Sequence, residues 1–274
     1  MEDTQFFENV VVPAQRFFVK LLMKCARSRC ALTDRSELKG ERKLVVTPAY
    51  LEGVNVLRQN IKSVQQQYHC WPWQHLVVWD GITNLGCRDH VSVSHETTSL
   101  LKVKFNHGDY GDYIRRLGTR LAIKQNSTAV TYLDADNYWS PNHWVVVNQT
   151  RASSQKNIII SGRKLIHENG EETEDFTRDF FDTNTITLFG EAKKIGLLWG
   201  LYPREMSLVG DRIISKYIQT HFSNEIAFTN EATVNYSYSP ISKEKVAAFK
   251  TWYRDNYAQI SDTFRRRFGF DLLI

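Results

Sequence analysis

The chain has 274 residues, of which 42% are hydrophobic and 24% charged, proportions that exclude a disordered chain and a collagen-like repeat. Its 35 basic and 30 acidic residues leave a net charge of +5, which suits an anionic ligand but lacks the concentrated basic stripe of a nucleic-acid binder. Four cysteines (Cys25, Cys30, Cys70, Cys87) form no C-x-x-C pair, so neither a disulfide framework nor a structural zinc site is expected and the thiols read as reduced and cytosolic.

Residues 14–32 carry five basic residues and no acid. Phe17, Phe18, Leu21, Leu22 and Cys25 recur at helical spacing. One face is apolar and the other basic, which allows a peripheral contact with an anionic membrane at its inner face. Packing on the main domain is the plainer reading. Residues 33–42 read as a polar connector. No stretch reaches the roughly 18 apolar residues of a spanning helix, and Glu2 and Asp3 do not suit a signal peptide. A cytoplasmic protein is expected.

Leu44-Val45-Val46 reads as a buried strand ended by Thr47-Pro48. Residues 53–67 place Val56, Leu57, Ile61 and Val64 on one helical face. Leu76 to Trp79 is a second strand, closed by Asp80-Gly81. Residues 111–124 form a second helix through Ile114, Leu117, Leu121 and Ile123. Ala129 to Leu133 is a third strand, ended by Asp134. Strand, helix, strand, helix, strand predicts parallel pairing.

Beyond residue 140 the pattern weakens. Trp144–Val147 reads as helical, Ile158–Ile160 as a strand that Lys164–Ile166 extends or pairs with, and the acidic run 168–182 as a solvated loop. Residues 190–196 and 210–222 read as helical. From about Lys243 a basic, aromatic helix leads to Arg265-Arg266-Arg267-Phe268. The expected organisation is an N-terminal helical extension over 1–40, a main domain over 41–240 and a helical tail over 241–274.

In open parallel sheets ligands bind beyond the carboxyl ends of the strands. Three such ends are polar here: Thr47 to Glu52, Trp79-Asp80-Gly81 and Asp134-Ala135-Asp136-Asn137. A glycine-rich dinucleotide loop and a G-x-x-x-x-G-K-[ST] loop are both absent, which argues against an NAD enzyme and a P-loop ATPase. Two carboxylates two residues apart at a strand end suit a hard divalent cation, Mn2+ or Mg2+, open to phosphate oxygens. For an isolated D-x-D a turn or helix cap is the commoner account.

The blocks KLVVTPAYLEGVNVLRQNIKSVQQQ, HLVVWDG and STAVTYLDADNYWSP resemble family 2 glycosyltransferases of the GT-A fold. A fainter likeness runs through FFDTNTITLFGEAKKIGLLW to VGDRIISKYI. The resemblance covers about Lys43 to residue 220. It implies an α/β fold with a mostly parallel sheet flanked by helices. It also implies inverting sugar transfer from a nucleoside diphosphate donor, a UDP-sugar, to an acceptor hydroxyl; the sequence does not name the acceptor, for which a glycan, lipid-linked or protein, and a small molecule all stay open.

Carried over, Pro48, Ala49, Tyr50 and Glu52 line the nucleoside pocket, and Asp80 accepts from the base. Asp134 lies by the ribose or metal, Asp136 binds the metal, and Asp211 is the catalytic base. Arg115 or Arg116 stands near the donor. The chain departs from the family at Trp79, where an aspartate is usual, at Leu51 and at Gly210, and it has no Q-x-x-R-W.

Metal and base must lie on opposite sides of the sugar, which distant Asp136 and Asp211 allow. As an N-terminal helix residue Asp211 also suits a cap. His69, His75, His90 and His95, around the second strand, read as residues of a loop-rich surface; His221, ten residues after Asp211, is one with a route to the metal. Trp139 and Trp144 read as packing residues. Two readings compete with sugar transfer: a nucleotidyltransferase, whose basic glycine-rich loop is missing, and an inactive glycan- or partner-binding module.

Overall fold

The computed structural model describes residues 42–50, 52, 54–67, 73–81, 97–103, 106–176, 178–237 and 243–270. The basic N-terminal stretch, the connector up to residue 41, all four cysteines and His69, His90 and His95 lie outside them. The scaffold is one sheet in the order β3-β2-β1-β4-β8-β6-β9-β5, with β7 added on β6.

Strand β1 (Lys43–Ala49) is buried at every residue. It lies parallel between β2 (Trp73–Asp80) and β4 (Ala129–Tyr132), the setting in which a continuous apolar run is stable. It continues through Pro48 to Ala49, because pairing with β4 stops at Val46. Beyond that point β1 is an edge on the β4 side, where proline is tolerated.

Parallel neighbours need crossovers. Helix α1 (Val54–Gln65) links β1 to β2. Helix α2 (Asp112–Lys124) links β3 (Thr98–Val103), which lies parallel to β2, to β4. Gly118 lets α2 press on β1: a Cβ there would collide with the Val46 side chain. Gly111, at φ 87, starts α2 against Pro48, in a backbone region where only glycine is comfortable.

The second half of the sheet is mixed. Short β5 (Tyr138–Trp139) precedes helix α3 (His143–Ser154) and β6 (Ile158–Ile166). β8 (Ile186–Phe189) runs antiparallel between β4 and β6. β9 (Ile226–Ser237) runs parallel to β6 and antiparallel to β5. Parallel registers still cover most of the paired length. Helix α4 (Gly210–Phe222) precedes β9, and α5 (Lys243–Phe268) ends the described chain. Among the described residues no helix is long and apolar enough to cross a membrane.

The core joins both halves. Val45, Leu133, Trp139, Trp144, Ile159, Phe189 and Val234 form one cluster, while Ala49, Leu57, Ile61, Val77 and Ala135 form another under α1. Trp139 and Trp144 are fully buried, and Trp139 stacks on His143 at 4.3 Å.

Besides the first strand, which runs past Pro48, two expectations need correction. Residues 168–182 are not one solvated loop: Glu172–Asp175 form β7, paired with Arg163–Ile166. Most of their side chains stay in water while the backbone bonds β6, so the acidic composition hides the strand. The helical reading of 190–196 becomes a 3₁₀ segment, Gly190–Leu198, which begins at the positive φ of Gly190.

Candidate active site

The carboxyl ends of β1, β2 and β4 open on one side with the starts of α2 and α4. After β1, the Tyr50 amide donates to Glu52 Oε2 at 2.5 Å. The Tyr50 hydroxyl accepts from Asn106 Nδ2 at 2.9 Å, while its side chain stays open to solvent. Burial raises the Glu52 pKa, the Tyr50 amide opposes it, and Asp134 adds a smaller upward push.

After β2, Asp80 is buried. Its two oxygens accept from the His107 amide at 3.2 and 3.1 Å, and His107 Nδ1 lies 2.5 Å away. His107 in turn stacks on Tyr113 at 3.8 Å. Asp80 therefore pins the 106–108 segment to the sheet. Gly81 permits this, since a Cβ there would lie 2.9 Å from Asn106 Cβ. Asp109 then caps α2, accepting from the Tyr113 amide at 2.8 Å.

The start of α2 carries Arg115, buried. It donates to the Tyr110 carbonyl at 2.8 Å, to Asp112 at 3.2 Å and to Asp134 Oδ1 at 2.5 Å. Burial opposes its charge, but Asp134 and Asp112 overcome this and raise its pKa. Asp112 also accepts from the Tyr202 hydroxyl at 2.7 Å. Arg115, not Arg116, is the arginine that reaches the strand ends.

After β4 the two aspartates have different surroundings. Asp134 Oδ2 accepts from Asn184 Nδ2 at 3.0 Å, and the Asp134 amide donates to Asn184 Oδ1 at 2.5 Å. With Arg115 on Oδ1, both its oxygens are engaged. Asn60 of α1 donates to the Asp134 and Asn137 carbonyls, each at 2.9 Å, and fixes the turn. Ser237 at the end of β9 donates to the Asp136 carbonyl at 2.7 Å.

The Asp136 side chain is exposed, with other acidic groups close enough to act on its carboxyl. Loss of surrounding water, then Asp134, with Glu52 and Asp182 adding, pushes its pKa up to about 7. A divalent cation would relieve that repulsion. Among the described residues no three His, Cys, Asp or Glu side chains converge on a common point. Of the two strand-end aspartates, Asp136 is the one not engaged by another side chain; its own amide bonds to it.

Sequence reasoning misses Asp182 and Asn184. Asp182 is buried, caps the turn Thr183–Thr185 through the Asn184 amide at 2.9 Å, and pairs with Arg163 at 3.1 Å. Asp-x-Asn before an apolar run is a capping signal, but it sits in an acidic run that reads as solvent-facing.

Asp211 opens α4. Its Oδ1 accepts from the Arg212 amide at 2.7 Å. Burial, then Asp182, pushes its pKa up to about 7, against Arg212 and Arg115. His221, by contrast, contacts the Phe268 carbonyl at 2.6 Å, which ties it to the end of α5.

The fold these elements define is the GT-A glycosyltransferase fold, mixed α/β with a mostly parallel sheet flanked by helices. Solved structures of S. aureus TarS are similar to it. TarS 1-349 in complex with UDP matches at 13% identity and TM-score 0.54 over 84% of this chain and 72% of that one. TarS 1-349 alone matches at 12% identity and TM-score 0.55 over the same shares. The complex with UDP-GlcNAc gives 13% and 0.53 over 84% of this chain and 73% of that one. The chain spans 44% of the longer TarS structure. No protein-family model and no curated protein matches the sequence.

Proposed function

We propose that the protein is an inverting, metal-dependent glycosyltransferase that moves a sugar from a UDP-sugar to an acceptor hydroxyl. The observation that carries this reading is the strand-end constellation: a free Asp136 beside a clamped Asp134, with Asp211 at the start of α4 in the same acidic field. The complexes of TarS with UDP and with UDP-GlcNAc support the choice of nucleotide.

Pro48, Ala49, Tyr50 and Glu52 are assigned to the nucleoside wall. Tyr50 is exposed and offers a ring face to a base. Asp80 is assigned to the base through the loop it orders around His107. Asp134, held by Arg115 and Asn184, shapes the floor near the ribose. Asp136 would hold Mn2+ or Mg2+, which keep several waters and bind through one or two carboxylates plus phosphates. Bound there, the ion supplies charge neutralisation for the diphosphate.

In the transfer the acceptor oxygen forms a bond to the anomeric carbon as the bond to the diphosphate oxygen breaks. The acceptor proton passes to Asp211, and UDP departs. A carboxyl with pKa near 7 is a matched proton acceptor at neutral pH. The test is UDP release with UDP-glucose, UDP-galactose and UDP-N-acetylglucosamine. Asp211→Asn is expected to lower turnover by about 10²–10⁴-fold while UDP affinity is unchanged. Unchanged turnover removes Asp211 from the base role.

A further inference from the structure

Next to the candidate base lies a cavity of about 220 Å³ that the donor assignment does not use. Its floor is β6 around Ser161–Arg163 and β9 around Phe228–Asn230; its wall is made by Phe176, Arg178, Phe180 and Asp182. That wall is fastened to α4. The Phe181 amide donates to Ser215 Oγ at 2.8 Å, and Gln219 Nε2 donates to the Arg178 carbonyl at 3.1 Å. Arg212, the neighbour of Asp211, lies 5.5 Å from the Phe180 ring centre. Cavity wall and base helix are therefore tied together by these contacts.

The lining combines three features. First, Phe176 lines the cavity and is 44% exposed. It lies over Gly162, where a Cβ would come within 2.5 Å of the ring. Only glycine on β6 lets the ring lie so close to the strand. Second, the Ser161 hydroxyl is buried and has no hydrogen-bond partner among the described residues. A buried hydroxyl left unpaired costs stability unless something else satisfies it. Third, Arg163 is held by Asp175 at 2.8 Å and Asp182 at 3.1 Å, so charged donors and acceptors sit in fixed positions beside an aromatic face.

Aromatic rings that cover apolar C–H faces, next to rigid carboxylate–guanidinium pairs that bond hydroxyls, match a sugar ring. They match a long acyl chain poorly, because a buried ion-pair network cannot be desolvated against hydrocarbon without cost. We propose that this cavity is the acceptor subsite and that the acceptor is a glycan, one of whose sugar rings rests on Phe176 with hydroxyls toward Ser161 and Arg163. This rests on the transferase reading above and names the substrate class that the cavity selects.

The experiment uses the full chain with Mn2+. UDP binding is measured first, by calorimetry. Methyl glycosides and short oligosaccharides, serine peptides and long-chain alcohols are then compared as stimulants of UDP release from the three UDP-sugars. Saturation-transfer NMR reads glycoside binding to the UDP-loaded protein directly. A glycoside is expected to bind and to stimulate release. Phe176→Ala should raise the acceptor KM about tenfold with UDP affinity unchanged, and Phe176→Tyr should restore it. Stimulation only by peptide or alcohol, or an acceptor KM indifferent to Phe176→Ala, overturns the proposal while leaving the donor reading standing. Absence of UDP binding overturns both.

Discussion

Two aspartates separated by a single alanine have opposite environments. Asp134 gives both oxygens to Arg115 and Asn184; Asp136 gives neither to a described side chain and carries the repulsion of its acidic neighbours. The division suits a site where one carboxylate shapes the cleft and the other meets a cation. Asp211 shares that acidic field, and its position beside Arg212 yields a pH prediction. Its pKa near 7 is held down in part by Arg212. A base must be ionised, so kcat/KM should rise with pH through about 7 and then level off. Arg212→Ala removes a cation that favours the ionised form, and the limb should move to higher pH. A pH–rate profile checks this; a limb that stays in place separates Asp211 from the observed ionisation.

Among the elements, α1 contributes more than a covering layer. Its Asn60 is buried and bonds two carbonyls of the turn that carries Asp136. Asn60→Ala leaves both without that donor, at a cost of about 1–3 kcal/mol in chemical unfolding. It should also weaken metal-dependent UDP binding, because the turn is freed. Stability loss without weaker binding would show that the turn holds its shape through β9 alone. The elements that build this side of the cleft were legible in the sequence. The runs Leu44–Val46 and Leu76–Trp79 are continuous and apolar, and α1 and α2 keep helical spacing. On the other side Ile158–Ile160 and residues 210–222 were legible as well, but the remaining strands were not. β8 is four residues long, and β9 mixes Thr, Asn and Glu along a strand that pairs partly with β6 and partly with β5. β7 is acidic throughout most of its length. Asp182, in the turn before β8, pairs with Arg163 of β6, and no local pattern carries that information.

For the whole molecule, the cleft gathers Glu52, Asp136, Asp182 and Asp211 in a protein whose net charge is positive, so the concentration of acid is local. Such a concentration costs folding free energy. The Asp211 carboxyl has a pKa raised from 3.8 to about 7. A raised folded pKa means the penalty is absent below about pH 4 and complete once pH has risen through 7. Asp211→Asn should therefore raise the melting temperature by a few degrees at pH 8, roughly 1–3 kcal/mol after allowing for partial exposure. At about pH 4 it should change little. A stabilisation equal at both pH values would mean that the charge is not its source.

The cation is the point on which the donor reading turns. Calorimetric titration of UDP into the protein, with Mn2+ and with a chelator, for the native chain and for Asp136→Asn, tests it most directly. Binding that requires Mn2+ in the native chain and disappears in Asp136→Asn, with the fold intact by circular dichroism, is the predicted result. UDP binding of equal strength with chelator present, or in Asp136→Asn, would contradict it.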